Sequence, residues 1–256
     1  MIFQQEIEVI SNRRTAGDVH LLAFSSDRLA RAARPGQFLH LLPSRSSDPL
    51  LRRPFSLHDV VGSKLYILYR IAGRGTKLLS TIKAGQKLNI IGPLGRGFII
   101  NRNFTNHLLV AGGIGFAPIR FLYRELHDQK LSHAFFFGCR SKKEVLPLLP
   151  KRIILTSDDG SCGSRGFITS ALEEKLSGYS NPVIYACGPW PMLQAVARIC
   201  QARTIPFQVS LESFMACGVG ACQGCAVKTV SGMATVCHDG PVFDGREIDW
   251  DQESLV

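Results

Sequence analysis

Four cysteines constrain this chain more than any other feature. Cys217, Cys222, Cys225 and Cys237 follow the spacing Cys-x4-Cys-x2-Cys-x11-Cys, and the first three lie within Glu-Ser-Phe-Met-Ala-Cys-Gly-Val-Gly-Ala-Cys-Gln-Gly-Cys, residues 212–225. A plant-type 2Fe-2S cluster takes its thiolates in this order. A loop that supplies three of four thiolates must bring its backbone close and aim amide N–H groups at sulfur, which favours residues with little side chain. Gly218, Gly220, Ala221 and Gly224 meet that need. Two plainer readings stand beside the cluster. One is a four-cysteine zinc site, which usually presents two short Cys-x2-Cys steps, whereas only Cys222 and Cys225 have that spacing here. The other is a set of buried free thiols packed as small hydrophobes.

The remainder of the chain is long enough to serve such a centre. At 256 residues, with 45% hydrophobic content, it accommodates two compact domains and a small appendage. It has no uninterrupted apolar run of membrane-spanning length, and Met-Ile-Phe-Gln-Gln-Glu-Ile-Glu lacks the basic and apolar regions of a secretory signal. A soluble, cytoplasmic protein without a membrane role is expected. Cys139, Cys162, Cys187 and Cys200 have no framework spacing, which agrees with a reducing compartment. Charge is uneven: residues 1–203 hold 28 Lys/Arg against 13 Asp/Glu, a net of +15, and residues 204–256 hold 2 against 7, a net of −5. A basic body attracts phosphates or an acidic partner, or is simply an Arg-rich solvated surface. No basic run with interleaved aromatics and no nucleic-acid-binding motif accompanies it, so nucleic acid is not expected.

Residues 1 to about 100 read as β. Short apolar runs at Gln5–Ile10, Val19–Phe24, Gln37–Leu42, Lys64–Ile71 and Lys87–Ile91 are parted by turn residues such as Ala16-Gly17-Asp18 and Arg34-Pro35-Gly36. Five or six short strands without long helices imply a small antiparallel barrel, whose closure removes exposed edges. Within it, Arg53-Pro54-Phe55-Ser56 puts a cation and a hydroxyl on a proline-fixed strand. Arg70-Ile71-Ala72 leads to Gly75-Thr76, which opens a helical stretch at Lys77–Leu79. Together these supply groups for a pyrophosphate, or an arginine pair on an edge strand followed by a turn. Gly92-Pro93-Leu94-Gly95-Arg96-Gly97-Phe98 closes the barrel.

From about Asn106 the pattern alternates β and α. His107–Ala111 reads as a buried strand, followed by Gly112-Gly113-Ile114-Gly115-Phe116-Ala117-Pro118 and a helix at Ile119–Asp128. Strand, glycine turn and helix form a nucleotide-binding arrangement, although the full Gly-x-Gly-x-x-Gly fingerprint is missing. Strands at Ala134–Gly138, Ile153–Thr156, Val183–Ala186 and Phe207–Leu211 follow, with helices at about Lys142–Leu146, Phe167–Leu176 and Met192–Ala202. A five-stranded parallel sheet with helices on both faces is predicted. The loop from Ser157 to Gly166 and the turn Cys187-Gly188-Pro189 lie beyond strand carboxyl ends, where open sheets bind ligands. Cys187 either touches a nicotinamide or is a small buried residue.

Taken together, Arg53-Pro54-Phe55-Ser56, Gly75-Thr76, Gly92-Pro93-Leu94-Gly95, Ala111-Gly112-Gly113-Ile114-Gly115 and Cys187-Gly188-Pro189 resemble the ferredoxin-NADP reductase superfamily. Met215-Ala216-Cys217-Gly218-Val219-Gly220-Ala221-Cys222 and Cys237-His238-Asp239-Gly240-Pro241-Val242-Phe243 narrow it: they resemble the electron-transfer subunits of NAD-dependent (class 1B) dihydroorotate dehydrogenases, as do Gly36-Gln37-Phe38-Leu39-His40-Leu41 and Leu51-Arg52-Arg53-Pro54. The resemblance implies an α+β multi-domain chain: a six-stranded FAD-binding barrel at 1–101, a five-stranded parallel NAD-binding domain at 102–211 and a 2Fe-2S subdomain at 212–256. It implies FAD held by Arg53, Pro54, Phe55, Ser56, Arg70, Ile71, Ala72, Gly75 and Thr76. NAD(H), as exchangeable substrate, would lie against Gly112, Gly113, Gly115, Cys187, Gly188 and Pro189, and the cluster on Cys217, Cys222, Cys225 and Cys237. It further implies an oxidoreductase subunit in pyrimidine (UMP) biosynthesis whose partner is an FMN-containing catalytic subunit that oxidises dihydroorotate, two of each in a hetero-tetramer. Glu212 and Phe214 either approach the flavin or form a surface turn. The basic balance and the bulk of Phe55 and Phe116 depart from what the resemblance leads one to expect. Alternatives are an electron-transfer subunit of a sulfide dehydrogenase or an NADH-dependent ferredoxin-NADP reductase, and a non-enzymatic iron–sulfur redox sensor.

Overall fold

The computed structural model describes residues 2–44, 48–146 and 148–252. Strand β1 (Phe3–Ala16) turns Phe3, Ile7 and Val9 inward and leaves Gln4, Glu6 and Glu8 exposed, the period-2 alternation of a sheet with one buried face. It is joined by β2 (Val19–Ser25), helix α1 (Asp27–Ala32), β3 (Phe38–Leu42), β4 (Arg53–Val61), β5 (Lys64–Arg70), α2 (Arg74–Thr81) and β6 (Lys87–Leu94). The six strands close into an antiparallel barrel in the order β1-β2-β5-β4-β3-β6. Phe24, Leu39, Leu41, Ile67 and Ile90 fill it.

The second unit alternates β7 (Asn106–Gly112), α3 (Phe116–Asp128), β8 (His133–Cys139), β9 (Ile154–Ser157), β10 (Ser164–Arg165), α4 (Ile168–Lys175), β11 (Pro182–Cys187), α5 (Trp190–Ala202) and β12 (Phe207–Ser210). Its central strands are buried on both faces because helices cover both. Leu109, Ala111, Phe135, Phe137 and Tyr185 pack with Phe116, Ile119, Leu122 and Leu126 of α3. Leu108, Val110, Phe136 and Ile184 pack with Leu172 of α4 and Leu193, Val196 and Ala197 of α5. The five expected strands are all present, but the sheet has seven, ordered β10-β9-β8-β7-β11-β12-β15. The two additions are the two-residue β10 and β15 (Val242–Asp244), which runs antiparallel to β12 and comes from the cysteine-rich segment. The helix expected at Lys142–Leu146 is only a 3₁₀ turn over Lys142–Glu144. Pro147 and Pro150, close behind it in the sequence, disfavour its continuation.

The third unit is small. A hairpin of β13 (Ala226–Thr229) and β14 (Gly232–Thr235) carries Val227 and Val236 into the core that α5 and β12 share. Trp250 meets Trp190 of α5 at a ring separation of 5.1 Å. Helix α3 also joins barrel to sheet. Asp59 of β4 lies 3.4 Å from Arg120 and 2.6 Å from Arg124, and His58 reaches the Ala117 carbonyl at 3.2 Å. Phe116, a bulk the resemblance did not lead one to expect, is fully buried in this junction, edge-on to His58 at 5.3 Å. No helix among the described residues is long and apolar enough to cross a membrane.

Candidate functional site

The cysteine loop presents its amides as an iron–sulfur cradle would. Val219 N–H and Cys222 N–H donate to Cys217 Sγ at 3.5 and 3.4 Å, and Gly224 N–H to Cys222 Sγ at 3.5 Å. Cys237 N–H donates to Cys225 Sγ at 3.4 Å, and Gly220 N–H to Cys237 Sγ at 3.1 Å. All four predicted ligand sulfurs therefore accept a backbone N–H, which favours the thiolate form that iron requires. At Cys217 burial opposes ionisation, but the Val219 and Cys222 amides outweigh it and bring the thiol down to about 6. At Cys237 burial and the nearby Cys225 sulfur push it up to about 12. Crowded sulfurs that cannot all ionise alone are what a positively charged metal centre relieves. Among the described residues no three His, Cys, Asp or Glu side chains are gathered closely enough to hold a single ion.

The glycines of this loop do not all serve it alike. Gly218 and Gly220 adopt φ values of 72° and 82°. A Cβ at Gly218 would lie 2.5 Å from His40 Nδ1, and one at Gly220 would lie 2.9 Å from His238 Cβ. Gly224 has no such neighbour, its Cβ meeting only Cys222 Sγ at 3.6 Å. His40, on barrel strand β3, is fully buried against the loop, with the Cys217 and Arg52 backbone close to its ring. Burial, then the Arg52 charge, lowers it to about 4, so the imidazole is neutral. The sequence singled it out only within a strand motif. Cys222, by contrast, is exposed, and Phe214 and Val219, which flank Cys217 in the sequence, are 77% and 45% exposed.

A cavity of about 690 Å³ opens where the carboxyl ends of the sheet strands face the barrel. Gly112, Gly113 and Gly115 line one wall, and Gly188 and Pro189 another. Gly115 has to be glycine, because a Cβ there would fall 2.3 Å from the Cys187 carbonyl oxygen where α3 starts against β11. Cys187 itself does not line the cavity. It is fully buried, and burial, with the Glu212 charge, raises its thiol well above the ordinary range. Arg140, Glu144 and Asp158 form the far end and Trp190 and Met192 the side, residues the sequence reading did not single out one by one. Asp158 belongs to the Ser157–Gly166 loop that the sequence marked beyond a strand end, whereas Arg140 was signalled only by Gly-Cys-Arg at the close of β8, a small-residue exit like that of β11.

Toward the barrel the cavity ends on Arg70 and Glu212. Arg70 Nε is buried without a hydrogen-bond acceptor, and Asp18 approaches it at 3.6 Å. Glu212 opens on the cavity, yet protein encloses its other sides, and this burial raises its carboxyl against the pull of Arg70. Phe214 does not line the cavity. Arg53–Ser56 stand half-buried on β4, with Phe55 edge-on to Tyr69 at 5.5 Å. The Arg53 side chain lies over Gly75, whose added Cβ would meet Arg53 Nε at 3.0 Å. Thr76 Oγ1 accepts Ala72 N–H at 2.9 Å and Gly73 N–H at 3.0 Å, so its hydroxyl shapes the turn into α2. The first-turn amides of that helix have no partner within it. A guanidinium whose Nε lacks a hydrogen-bond acceptor, a second arginine and a helix start fit a dinucleotide phosphate.

Antiparallel barrel, doubly covered parallel sheet and cysteine cradle together define a ferredoxin-reductase-type iron–sulfur oxidoreductase. Comparison with known proteins agrees. Residues 212–249 match the iron–sulfur cluster binding domain of dihydroorotate dehydrogenase B, and residues 109–198 match the oxidoreductase NAD-binding domain. The dihydroorotate dehydrogenase B (NAD(+)) electron transfer subunit of Desulforamulus reducens is 35% identical, over 96% of this chain and 98% of its own. That of Caldanaerobacter subterraneus subsp. tengcongensis is 38% identical, over 97% and 99%. Among solved structures, an NADH-dependent reduced ferredoxin-NADP oxidoreductase superposes with a TM-score of 0.85 at 27% identity, covering 96% of this chain and 90% of that one. The chain belongs to the family of dihydroorotate dehydrogenase B electron transfer subunits.

Proposed function

We propose that this chain carries electrons between NAD(H) and the FMN of a separate dihydroorotate-oxidising subunit in pyrimidine (UMP) biosynthesis. The observation that carries this reading is the cysteine loop, where every sulfur of the Cys-x4-Cys-x2-Cys-x11-Cys set accepts a backbone amide. The division of labour is 1–101 for FAD, 102–211 for NAD(H) and 212–256 for the 2Fe-2S cluster. FAD, when bound, converts between the two-electron hydride of a nicotinamide and the single electrons a 2Fe-2S cluster carries.

The chain's own residues position these groups. Arg53 and Arg70, with the start of α2 at Gly75 and Thr76, hold the FAD phosphates, while Pro54, Phe55, Ser56, Ile71 and Ala72 shape its bed. Gly112, Gly113 and Gly115 let the nicotinamide nucleotide approach the backbone, and Gly188 and Pro189 flank it. Cys187 supports that turn from beneath. Glu212, at the barrel end of the cavity, holds a proton more tightly than an ordinary carboxylate and faces Arg70. Cys217, Cys222, Cys225 and Cys237 ligate the cluster. The assembly is a hetero-tetramer of two such chains with two catalytic subunits, and scattered unpaired thiols suit a cytoplasmic setting.

The test uses anaerobically prepared protein mixed with the FMN-containing subunit. NADH is expected to bleach both flavin and cluster absorbance, and the complex to reduce NAD⁺ with dihydroorotate. Cys225→Ala should abolish the NAD-linked activity while dihydroorotate still reduces the catalytic subunit's FMN. Full NAD⁺ reduction by a cluster-free Cys225→Ala complex would refute the relay.

A further inference from the structure

Two of the cysteines outside the iron–sulfur loop meet at the far end of the nucleotide cavity. Cys139 closes β8 and Cys162 lies in the loop after β9, 23 positions further on, and their sulfurs are 3.7 Å apart. Cys139 is buried and lines the cavity, whereas Cys162 is partly exposed. Their meeting is built into the backbone. Ser157 Oγ donates to the Cys162 carbonyl at 2.7 Å and accepts Cys162 N–H at 3.0 Å, pinning the residue from both sides. Gly163 follows with φ 62°, and an added Cβ would fall 2.1 Å from the Leu155 carbonyl oxygen, so only glycine lets the loop fold back this tightly. Asp158 N–H donates to the Cys139 carbonyl at 3.1 Å and Lys142 N–H to Ser161 Oγ at 2.7 Å, tying the two loops together on either side of the sulfurs.

We propose that Cys139 and Cys162 form a reversible thiol–disulfide pair, closed by a low-molecular-weight disulfide such as glutathione disulfide, and that closing it weakens nicotinamide nucleotide binding. The exposed thiol reacts first. Cys162 Sγ, as thiolate, attacks one sulfur of the small disulfide. That S–S bond breaks, one small thiol leaves with the proton Cys162 gave up, and a mixed disulfide remains on Cys162. Cys139 Sγ then attacks the Cys162 sulfur, releases the second small thiol with its own proton and forms the intramolecular S–S bond. The protein pair loses two electrons and two protons, and the small disulfide gains both. Cys139 is the resolving partner because burial, then the Cys162 sulfur, Glu144 and Asp158, push its thiol up to about 12. It is a poor nucleophile toward a free oxidant, but it acts at contact distance once Cys162 is loaded.

The consequence for binding follows from the distance. A disulfide needs sulfurs about 2 Å apart, so the 3.7 Å contact must shorten. The movement falls on the β8 exit, where Cys139 and Arg140 form one wall of the cavity and Asp158 the adjoining one. Arg140 is held by Glu144, its Nε donating to Oε1 at 2.8 Å and its backbone N–H to Oε2 at 3.1 Å, so the wall moves as a unit. This second half of the proposal rests on reading the cavity as the nucleotide site.

The experiment equilibrates the cofactor-loaded protein, under argon, with glutathione buffers of increasing disulfide fraction. Differential alkylation and peptide mass mapping read the cysteines, and calorimetry reads NAD⁺ affinity. The expected result is a Cys139–Cys162 crosslink 2 Da lighter than the two thiols, a Kd for NAD⁺ at least 5-fold higher, and full recovery on reduction. In Cys162→Ser the ratio of Kd after oxidant to Kd before it should fall to one. Oxidation confined to other cysteines, or a mixed disulfide on Cys162 that never closes, overturns the pair. A crosslink that leaves Kd unchanged overturns its effect on binding. Reduced protein that binds no NAD⁺ overturns the nucleotide reading of the cavity and with it that effect, and the crosslink map still judges the pair.

Discussion

At the scale of single residues, Gly218 and Gly224 separate what backbone conformation demands from what composition suggests. The sequence groups Gly218, Gly220, Ala221 and Gly224 as one set of small residues around the cysteines, and nothing in their order ranks them. The structure does: Gly218 has φ 72° and stands against the His40 ring, while a Cβ at Gly224 would meet only Cys222 Sγ, at an ordinary contact distance of 3.6 Å. A non-glycine residue in the left-handed region costs roughly 1–2 kcal/mol, and at Gly218 the added methyl must also displace a buried imidazole. Gly218→Ala is therefore expected to lose half or more of its iron and acid-labile sulfide, whereas Gly224→Ala retains near-full occupancy. Metal and sulfide analysis of both variants decides it, and equal occupancy in the two would contradict this account of the loop. The four cysteines were legible as a candidate ligand set because cysteine spacing is a one-dimensional record of such a site. His40 was not, because its place against the loop is set by barrel closure nearly 180 residues away along the chain.

At the scale of elements, the junction of β4 with α3 decides how barrel and sheet are held together, and it carries a pH dependence. His58 is buried there at the Ala117 carbonyl, and burial, then the Arg120 charge, lowers it from 6.5 to about 3. The depressed value means that the native state keeps the ring neutral while the unfolded chain binds a proton below about 6.5. Its contribution is full above that pH and is lost progressively as pH falls toward 3. The slope is at most about 1.4 kcal/mol per pH unit. His58→Gln should flatten the denaturation midpoint between pH 7 and 5.5 relative to wild type. A variant whose pH slope matches wild type would show that the junction does not hold the ring neutral. Asp59 next door, whose carboxyl burial raises against Arg120 and Arg124, works in the opposite sense nearer its own range, which is why the window stops at 5.5. The elements were largely legible where the pattern is long, as in α3 or the apolar run Leu108–Ala111 of β7. The short β10 and β15 were not, because two or three residues carry no period and pair only through contacts made elsewhere.

At the scale of the whole molecule, the question is where electrons leave. The cysteine loop lies on the surface, with Cys225 and Cys237 buried beneath it and Cys222 exposed. The same unit leaves Phe214 at 77%, Met233 at 65% and Val219 at 45% exposure, apolar groups on the one unit whose sequence is net acidic. The acidic tail alone suggests charge steering, but Asp244 is already engaged by Arg246, whose Nε donates to it at 3.0 Å, so it is poorly placed to serve as a free docking charge. An exposed aromatic beside a redox centre is a better anchor, since interface energy concentrates in a few large side chains that fill pockets on the partner. Phe214→Ala is accordingly expected to weaken assembly with the FMN-containing subunit about 10-fold, equivalent to about 1.4 kcal/mol, while iron content and NADH bleaching of the isolated chain stay at wild-type levels. Sedimentation or calorimetry of the two-subunit mixture measures the first and absorbance the second. Loss of assembly with the double substitution Asp244→Lys and Glu247→Lys, but not with Phe214→Ala, would instead assign the contact to charge and would show as a steep dependence on salt.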